Sequence, residues 1–227
     1  MKIVCSSDWH LDHVTAGVPR FEEIAAAVDQ AVAHAITTKA DMFIFAGDLC
    51  DPDSGVSVFR CVQKAFEAAI RLSDANIRSI WVAGNHDIIE DGSGDTTLSP
   101  LKAIGRDVHV ADRPGVIWNV LALPFVSALA PYDPAAEAKR LIALHCPQVV
   151  VGHLNVPGII PGEETHEMPR GREVIFPVKE TAGIPLKLHG HYHRQQVTPE
   201  GIHIPGSLAR LTFGEEAHTP GFLVFEV

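Results

Sequence analysis

Asp41-Met42-Phe43-Ile44-Phe45-Ala46-Gly47-Asp48-Leu49-Cys50-Asp51 is an apolar run closed by a glycine and two carboxylates. A short apolar run bounded by a turn residue reads as a buried strand. The residues after it therefore emerge at the strand's carboxyl end, on the rim of a sheet, where ligands of α/β proteins bind. The same pattern recurs on both sides of this stretch. Ile3 to Ser6 leads to Asp8-Trp9-His10, and Ile77 to Ala83 leads to Gly84-Asn85-His86-Asp87. Further on, Gln148 to Val151 leads to Gly152-His153, and Leu186 to His189 leads to Gly190-His191-Tyr192-His193. Side chains distant in sequence are thereby directed to one rim.

Helical spacing separates the first three strands. Phe21 to Thr38 carries apolar residues at Phe21, Ile24, Val28, Val32 and Ile36, and Val58 to Leu72 forms a second helical stretch. This β-α-β-α-β order implies parallel strands joined by right-handed crossovers. Strand-like runs come next at Val108–Ala111, Gly115–Trp118 and Val120–Phe125, then a helix over Ala135 to Leu144 and a last strand within Gly221 to Val227. Ile89 to Ser99 and Asn155 to Arg172 read as loops, the second beside the active site. The expected fold class is α/β (α+β): a four-layer sandwich of two mixed β-sheets flanked by helices, with a dinuclear metal site at the strand carboxyl ends.

At 227 residues, 46% apolar and 20% charged, the chain has the size and composition expected of one soluble domain spanning 1–227. No apolar run reaches the roughly 20 residues of a membrane helix. Met1-Lys2-Ile3-Val4-Cys5 enters a strand pattern directly, without a leader, which predicts a cytoplasmic protein. A formal charge of −10 argues against a general polyelectrolyte binder of nucleic acid, but leaves open a nuclease whose acidic groups are neutralised by metal. Cys5, Cys50, Cys61 and Cys146 form no CxxC pair and read as buried, reduced thiols. Cys50 lies inside a motif, yet no thiolate partner stands at a spacing usual for zinc.

The rim residues suit a pair of cations. Residues one apart in an extended segment point to the same side, so Asp8 with His10, and His191 with His193, can face one site together. The two oxygens of Asp48 can bridge ions, which at a separation of about 3.5–4 Å require negative charge between them. Asn85 adds a neutral oxygen donor, and the histidines add nitrogens. A mixed nitrogen and oxygen set suits first-row transition metals such as manganese, iron or zinc better than calcium. The expected cofactor is two divalent ions, manganese first, with iron, zinc, nickel or magnesium as alternatives.

In order and spacing these motifs resemble the calcineurin-like metallophosphoesterase superfamily over most of the chain. The resemblance implies one ion held by Asp8, His10, Asp48 and His193, and a second by Asp48, Asn85, His153 and His191. It further implies that His86 contacts the scissile phosphate and protonates the leaving group, that Asp87 orients His86, and that Asp51 supports the site from behind the ligands. The nucleophile would be a hydroxide bridging the two ions.

Local features separate the branches. Pro52-Asp53 follows Asp51 where serine/threonine protein phosphatases have Arg-Gly, and no tyrosine follows Asp48 as in purple acid phosphatases. Ser6-Ser7-Asp8-Trp9-His10-Leu11 and the segment from Ile204 to Glu215, with its Pro205-Gly206-Ser207 turn, are similar to SbcD-type exonucleases. That likeness implies a DNA substrate; the alternative is a phosphomonoesterase or a small-molecule phosphodiesterase. Asp12 departs from the glycine usual there. The sequence ends at Val227, where those exonucleases continue into a capping domain and helices that dock an ATPase, so the expectation is that the capping domain is absent and that an ATPase partner, though possible, has no docking segment. Arg170, Arg172, Arg194 and Arg210 are candidates for a basic rim holding substrate phosphates, and Tyr192 for base stacking, while Trp9, which could also stack, reads first as a core residue beside the site. No membrane partner is expected, and the oligomeric state is left open.

Overall fold

Strict alternation along the buried strands decides the layers. The computed structural model of the protein describes residues 1–51, 56–105, 107–126, 131–160 and 174–227. In chain order the elements are β1 (Lys2–Ser6), β2 (Val14–Thr15), β3 (Val18–Pro19), α1 (Phe21–Thr37), β4 (Met42–Phe45), α2 (Val56–Asp74), β5 (Arg78–Val82) and β6 (Val108–Ala111). The second half holds β7 (Gly115–Ile117), β8 (Val120–Leu123), α3 (Pro134–His145), β9 (Val149–Gly152), β10 (Leu186–His189), β11 (Gln196–Val197), β12 (Ile202–Ile204) and β13 (Leu223–Glu226).

One sheet has the order β13-β1-β4-β5-β6, parallel except for the antiparallel edge β13. The other has the order β11-β12-β10-β9-β8-β7, parallel in its centre with antiparallel edges β11 and β7. Ile3, Cys5, Met42, Ile44, Ile80 and Val82 of the first sheet pack against Val120, Ala122, Val149, Val151, Leu186 and Leu188 of the second. Side chains one position along point the opposite way. Val4, Phe43, Phe45 and Trp81 thus meet Ile24, Val28 and Val32 of α1 and Ala65, Ala68 and Leu72 of α2. On the far side Leu121, Leu123 and Val150 meet Ala138 and Leu141 of α3. Both faces of each sheet are covered, which is why the central strands are continuous apolar runs. The expected four-layer sandwich is the observed one.

Parallel register brings the strand ends level. Ser6 lies beside Phe45, and Phe45 beside Trp81, while Leu123 lies beside Gly152, and Gly152 beside His189. The two sheets are tied at this rim: Phe125 N donates to Ala83 O at 2.9 Å, and His153 Nδ1 to Ala46 O at 2.6 Å.

Two expectations are corrected by the packing. Cys146 is exposed, at the left-handed carboxyl cap of α3, whereas Cys5, Cys50 and Cys61 are buried. Tyr192 is buried and its hydroxyl accepts from Val156 N at 2.8 Å, so its ring offers no face to a base. Trp9 is buried as its core reading expects, against Phe45 and Trp81, and its indole N–H donates to Ser6 Oγ.

Helices α1 and α2 are also joined by charge. Lys64 Nζ donates to Asp29 Oδ2 at 2.6 Å, and Arg71 reaches the other oxygen. Partial burial opposes ionisation of Asp29, but these two cations outweigh it and hold its pKa below the ordinary carboxylate value. With the side chain 45% exposed, Asp29→Asn is expected to cost only about 0.5–1 kcal/mol near neutral pH. A folded pKa below the unfolded one adds stability above the unfolded value, and that contribution is lost as pH falls through the folded value. Urea unfolding of both proteins should show the gap at pH 7 closing in acid.

Candidate metal centre

The rim loops place the predicted ligands by accepting unusual backbone geometry. Asp8, His10, Asp48 and His191 have φ of 51°, 42°, 65° and 77°. For residues with a Cβ such conformations cost about 1–3 kcal/mol each and persist only where the surroundings over-determine them. Here the loops after β1 and β4 are laced together. Asp8 N donates to Gly47 O, Trp9 N and His10 N to Asp48 O, and Leu11 N to Leu49 O, at 2.8–3.1 Å. His191 N donates to Asp8 Oδ1 at 3.0 Å, tying the last motif to the first.

Glycine enters this rim for two reasons. Gly47, with φ of 101°, makes the turn into Asp48. Gly190 instead supplies space: a Cβ there would stand 2.1 Å from Ala46 O and 2.8 Å from His153 Nδ1. The bond from His153 to Ala46 O exists only because nothing fills that gap. Gly190→Ala is therefore expected to destabilise the fold by about 1–3 kcal/mol and to loosen His153. Chemical denaturation and metal titration check this; unchanged affinity and midpoint would refute it.

Two donor clusters result, each with ligand atoms within 4.8 Å of one another: Asp8 with His10 and His193, and Asp48 with His153 and His191. Asp48 stands between them, its Oδ2 3.7 Å from His10 Nε2 and 3.1 Å from His153 Nε2. Asn85 Oδ1 completes the second cluster, 3.2 Å from His153 Nε2 and 3.0 Å from His191 Nδ1. The structure thus brings all seven predicted ligands together.

The electrostatics of these clusters are those of a cation site. Asp8 Oδ2 is buried with no hydrogen-bond partner among the described residues, and burial raises the Asp8 pKa. A desolvated carboxylate oxygen of this kind is costly unless a cation meets it. His10 Nε2 and His193 Nε2 face each other at 3.2 Å. Burial, then neighbouring imidazoles, hold the pKa of His10 well down and that of His191 at about 3, so these rings are neutral donors. For His153 burial works the same way, but the charge of Asp48 overrides it and raises the pKa to about 9. His153 gives its Nδ1 proton to Ala46 O, so the second proton sits where a cation would replace it. The residues present therefore fit two divalent ions.

Three contacts went unseen in sequence. Glu215 is fully buried and its Oε1 accepts from His193 Nδ1 at 2.8 Å, the carboxylate–histidine arrangement that aims the other ring nitrogen at a metal. Asn155 Oδ1 lies 3.1 Å from His191 Nε2. Thr97 Oγ1 donates to Asp87 Oδ1 at 2.5 Å. None falls in a strand-end motif, though Glu215 closes the Pro205–Glu215 segment.

The predicted roles of two carboxylates change. Asp87 was expected to orient His86, but its carboxylate accepts from the backbone N–H of Gly84, Asp48 and Leu49 and from Thr97. It is a buried brace for the loops carrying Asp48 and Asn85. The contact to His86 is made by Asp51, whose Oδ1 lies 2.7 Å from His86 Nδ1. Burial lowers the His86 pKa, but Asp51 and the charge of Asp48 outweigh it and raise it to about 9. His86 N also donates to Asp48 Oδ1 at 2.9 Å, and its ring stands edge-on to His10 with centroids 5.0 Å apart. It thus borders the first cluster from the solvent side.

The basic rim is only partly placed. Arg170 and Arg172 lie outside the described residues. Arg194 is exposed beside His193. Arg210 is corrected: it faces a separate cleft with Thr15, Arg20 and Phe213, and its Nε donates to His218 O.

The family model of the calcineurin-like phosphoesterases matches residues 1–195. The chain belongs to the calcineurin-like phosphoesterase family. It is a metal-dependent phosphoesterase, a hydrolase of ester bonds. It is similar to the SbcD component of the nuclease SbcCD of Staphylococcus saprophyticus, 24% identical, over 100% of this chain and 66% of that protein. The Escherichia coli K12 counterpart is also 24% identical, over 95% of this chain and 62% of its own. The chain thus spans just under two thirds of the length of these relatives. Among solved structures, a dimetal phosphatase from Danio rerio shares the fold, with a TM-score of 0.53, 10% identity, and coverage of 99% of this chain and 91% of that one. No helix among the described residues is long and apolar enough to cross a membrane.

Proposed function

We propose that this phosphoesterase hydrolyses phosphodiesters, with DNA as substrate and manganese as the working ion. The observation that carries the reading is the pair of donor clusters joined by Asp48, with the His86–Asp51 pair at their edge. Two bound dications would acidify a water as nucleophile and neutralise the phosphate oxygens. The chain's own groups do the rest. Asp8, His10 and His193 would hold one ion, and Asn85, His153 and His191 the other, with Asp48 available to both. His86, kept protonated by Asp51, gives its Nε2 proton to the departing oxygen. Asp87 and Glu215 hold the loops and the His193 ring in place. The nitrogen and oxygen donors support manganese.

The choice of DNA rests on the relatives named as nuclease components and on the shared opening and Pro-Gly-Ser segments. The charge of −10 favours a second reading, a small phosphate ester that needs no extended basic surface. With manganese, a chromogenic monoester, a chromogenic diester and end-labelled single- and double-stranded DNA decide between them. Cleavage of DNA that is lost in Asp48→Ala supports the nuclease. Intact DNA with rapid monoester turnover would overturn it in favour of the second reading.

A further inference from the structure

Beneath the loop that carries Asp48 and Asp51, a second kind of donor set converges. Cys50 on that loop and Cys61 on α2 are both fully buried. Their sulfurs and a carboxylate oxygen of Asp12 all lie within 4.8 Å of one another. Two thiols and a carboxylate from three separate segments are thereby gathered in one place. Ligands at tetrahedral zinc distances from a common centre are about 3.3–3.8 Å apart, so small side-chain adjustments close the set on one ion. Asp12 is only half-buried and gives the ion a way in from solvent.

We infer that Asp12, Cys50 and Cys61 form a third cation site, selective for a thiophilic divalent ion of the zinc and cadmium class. Its donors differ in kind from those of the dinuclear centre, where no sulfur is present, so softness sorts the ions between the two. Binding converts both thiols to thiolates and releases two protons to solvent, with water in the fourth position. The site is also wired to the reaction centre. Asp12 Oδ2 accepts from Asp51 N at 3.1 Å, and Asp51 Oδ1 pairs with His86 Nδ1 at 2.7 Å. An ion that draws in Asp12 weakens the hold on Asp51 and, through it, on His86.

Cadmium titration of the full chain, with manganese present and Cys146→Ser removing the exposed thiol, tests this. One cadmium per chain is expected, with the ultraviolet charge-transfer band of two thiolates and release of two protons. Adding Cys61→Ala should abolish the band. If that variant does not melt like its parent, Asp12→Asn takes its place: the band should persist but need at least about tenfold more cadmium. Absence of the band in Cys146→Ser, its survival in Cys61→Ala, or unchanged affinity in Asp12→Asn would overturn the site. One equivalent of cadmium should also slow hydrolysis several-fold in Cys146→Ser and not in the Cys61→Ala form; equal slowing in both would overturn the link to His86.

Discussion

Asp48→Ala is expected to leave the dinuclear centre without metal and to lower hydrolysis by about three orders of magnitude or more. Among the described residues, Asp48 is the side chain that reaches both clusters, its Oδ2 lying within 3.7 Å of His10 Nε2 and 3.1 Å of His153 Nε2. Losing it removes the negative charge that lets two cations sit side by side, and with them several kcal/mol of transition-state stabilisation, each 1.36 kcal/mol being about tenfold in rate. Asp48 also accepts the backbone bond from His86 N, so truncation disturbs geometry as well as charge. Asp48→Asn separates the two effects, because it keeps an oxygen for that bond while removing the charge. Elemental analysis of both variants reads metal content directly. Two ions per chain in Asp48→Asn would end the bridging assignment.

The second large effect is at His86. His86→Ala should keep both ions, since no cluster depends on its ring, and lose about 10²–10⁴ in kcat on an ester with a poor leaving group. A nitrophenyl ester should suffer much less, because its leaving oxygen departs without a proton. Asp51→Asn should give a smaller loss of about tenfold with the same dependence on leaving group, since Asp51 acts only through His86. Equal losses on both ester types would remove the proton-donor role and leave His86 as a phosphate contact. Asp87→Asn serves as contrast: its four donors are three backbone amides and a threonine hydroxyl, so its loss should appear in unfolding midpoint and metal affinity. Burial, and then the charge of neighbouring Asp48, raise the Asp87 pKa to about 6, which fits a brace held at some cost.

Much of the site was legible because its signals are local. Buried parallel strands must be apolar throughout, so Met42–Phe45, Arg78–Val82 and Val149–Gly152 announce themselves, and the residues after them lie at the rim. Asp8, His10, Asp48, Asn85, His153, His191 and His193 all stand within a few residues of such an end, and all converge. The glycines of the motifs were also visible, but not their reasons. Gly47 needs its positive φ and also the absence of a Cβ beside His153 Nδ1, and Gly190 needs the absence of a Cβ beside Ala46 O, conditions set by the opposite sheet.

Sequence alone determined the alternation of strands and helices and the motif-bearing strand ends, and its resemblance to the family supplied the candidate metal ligands. The first two come from periodicity and from the chemistry of residue types at strand ends, both read within a few positions. Only the tertiary structure decided which group acts on which. Asp51, three residues beyond Asp48, reaches His86, while Asp87, next to His86 in sequence, turns away to the backbone of another loop. Glu215 arrives at His193 from the far end of the Pro-Gly-Ser segment and Asn155 at His191 from the loop after His153, and Cys61 arrives at Cys50 from a helix. Arg210 is carried off to a different cleft. Such pairings depend on loop backbones held in the left-handed region by contacts between neighbouring rim loops, within one sheet and across to the other. The free energy that holds them is collective, and no short stretch of sequence carries it.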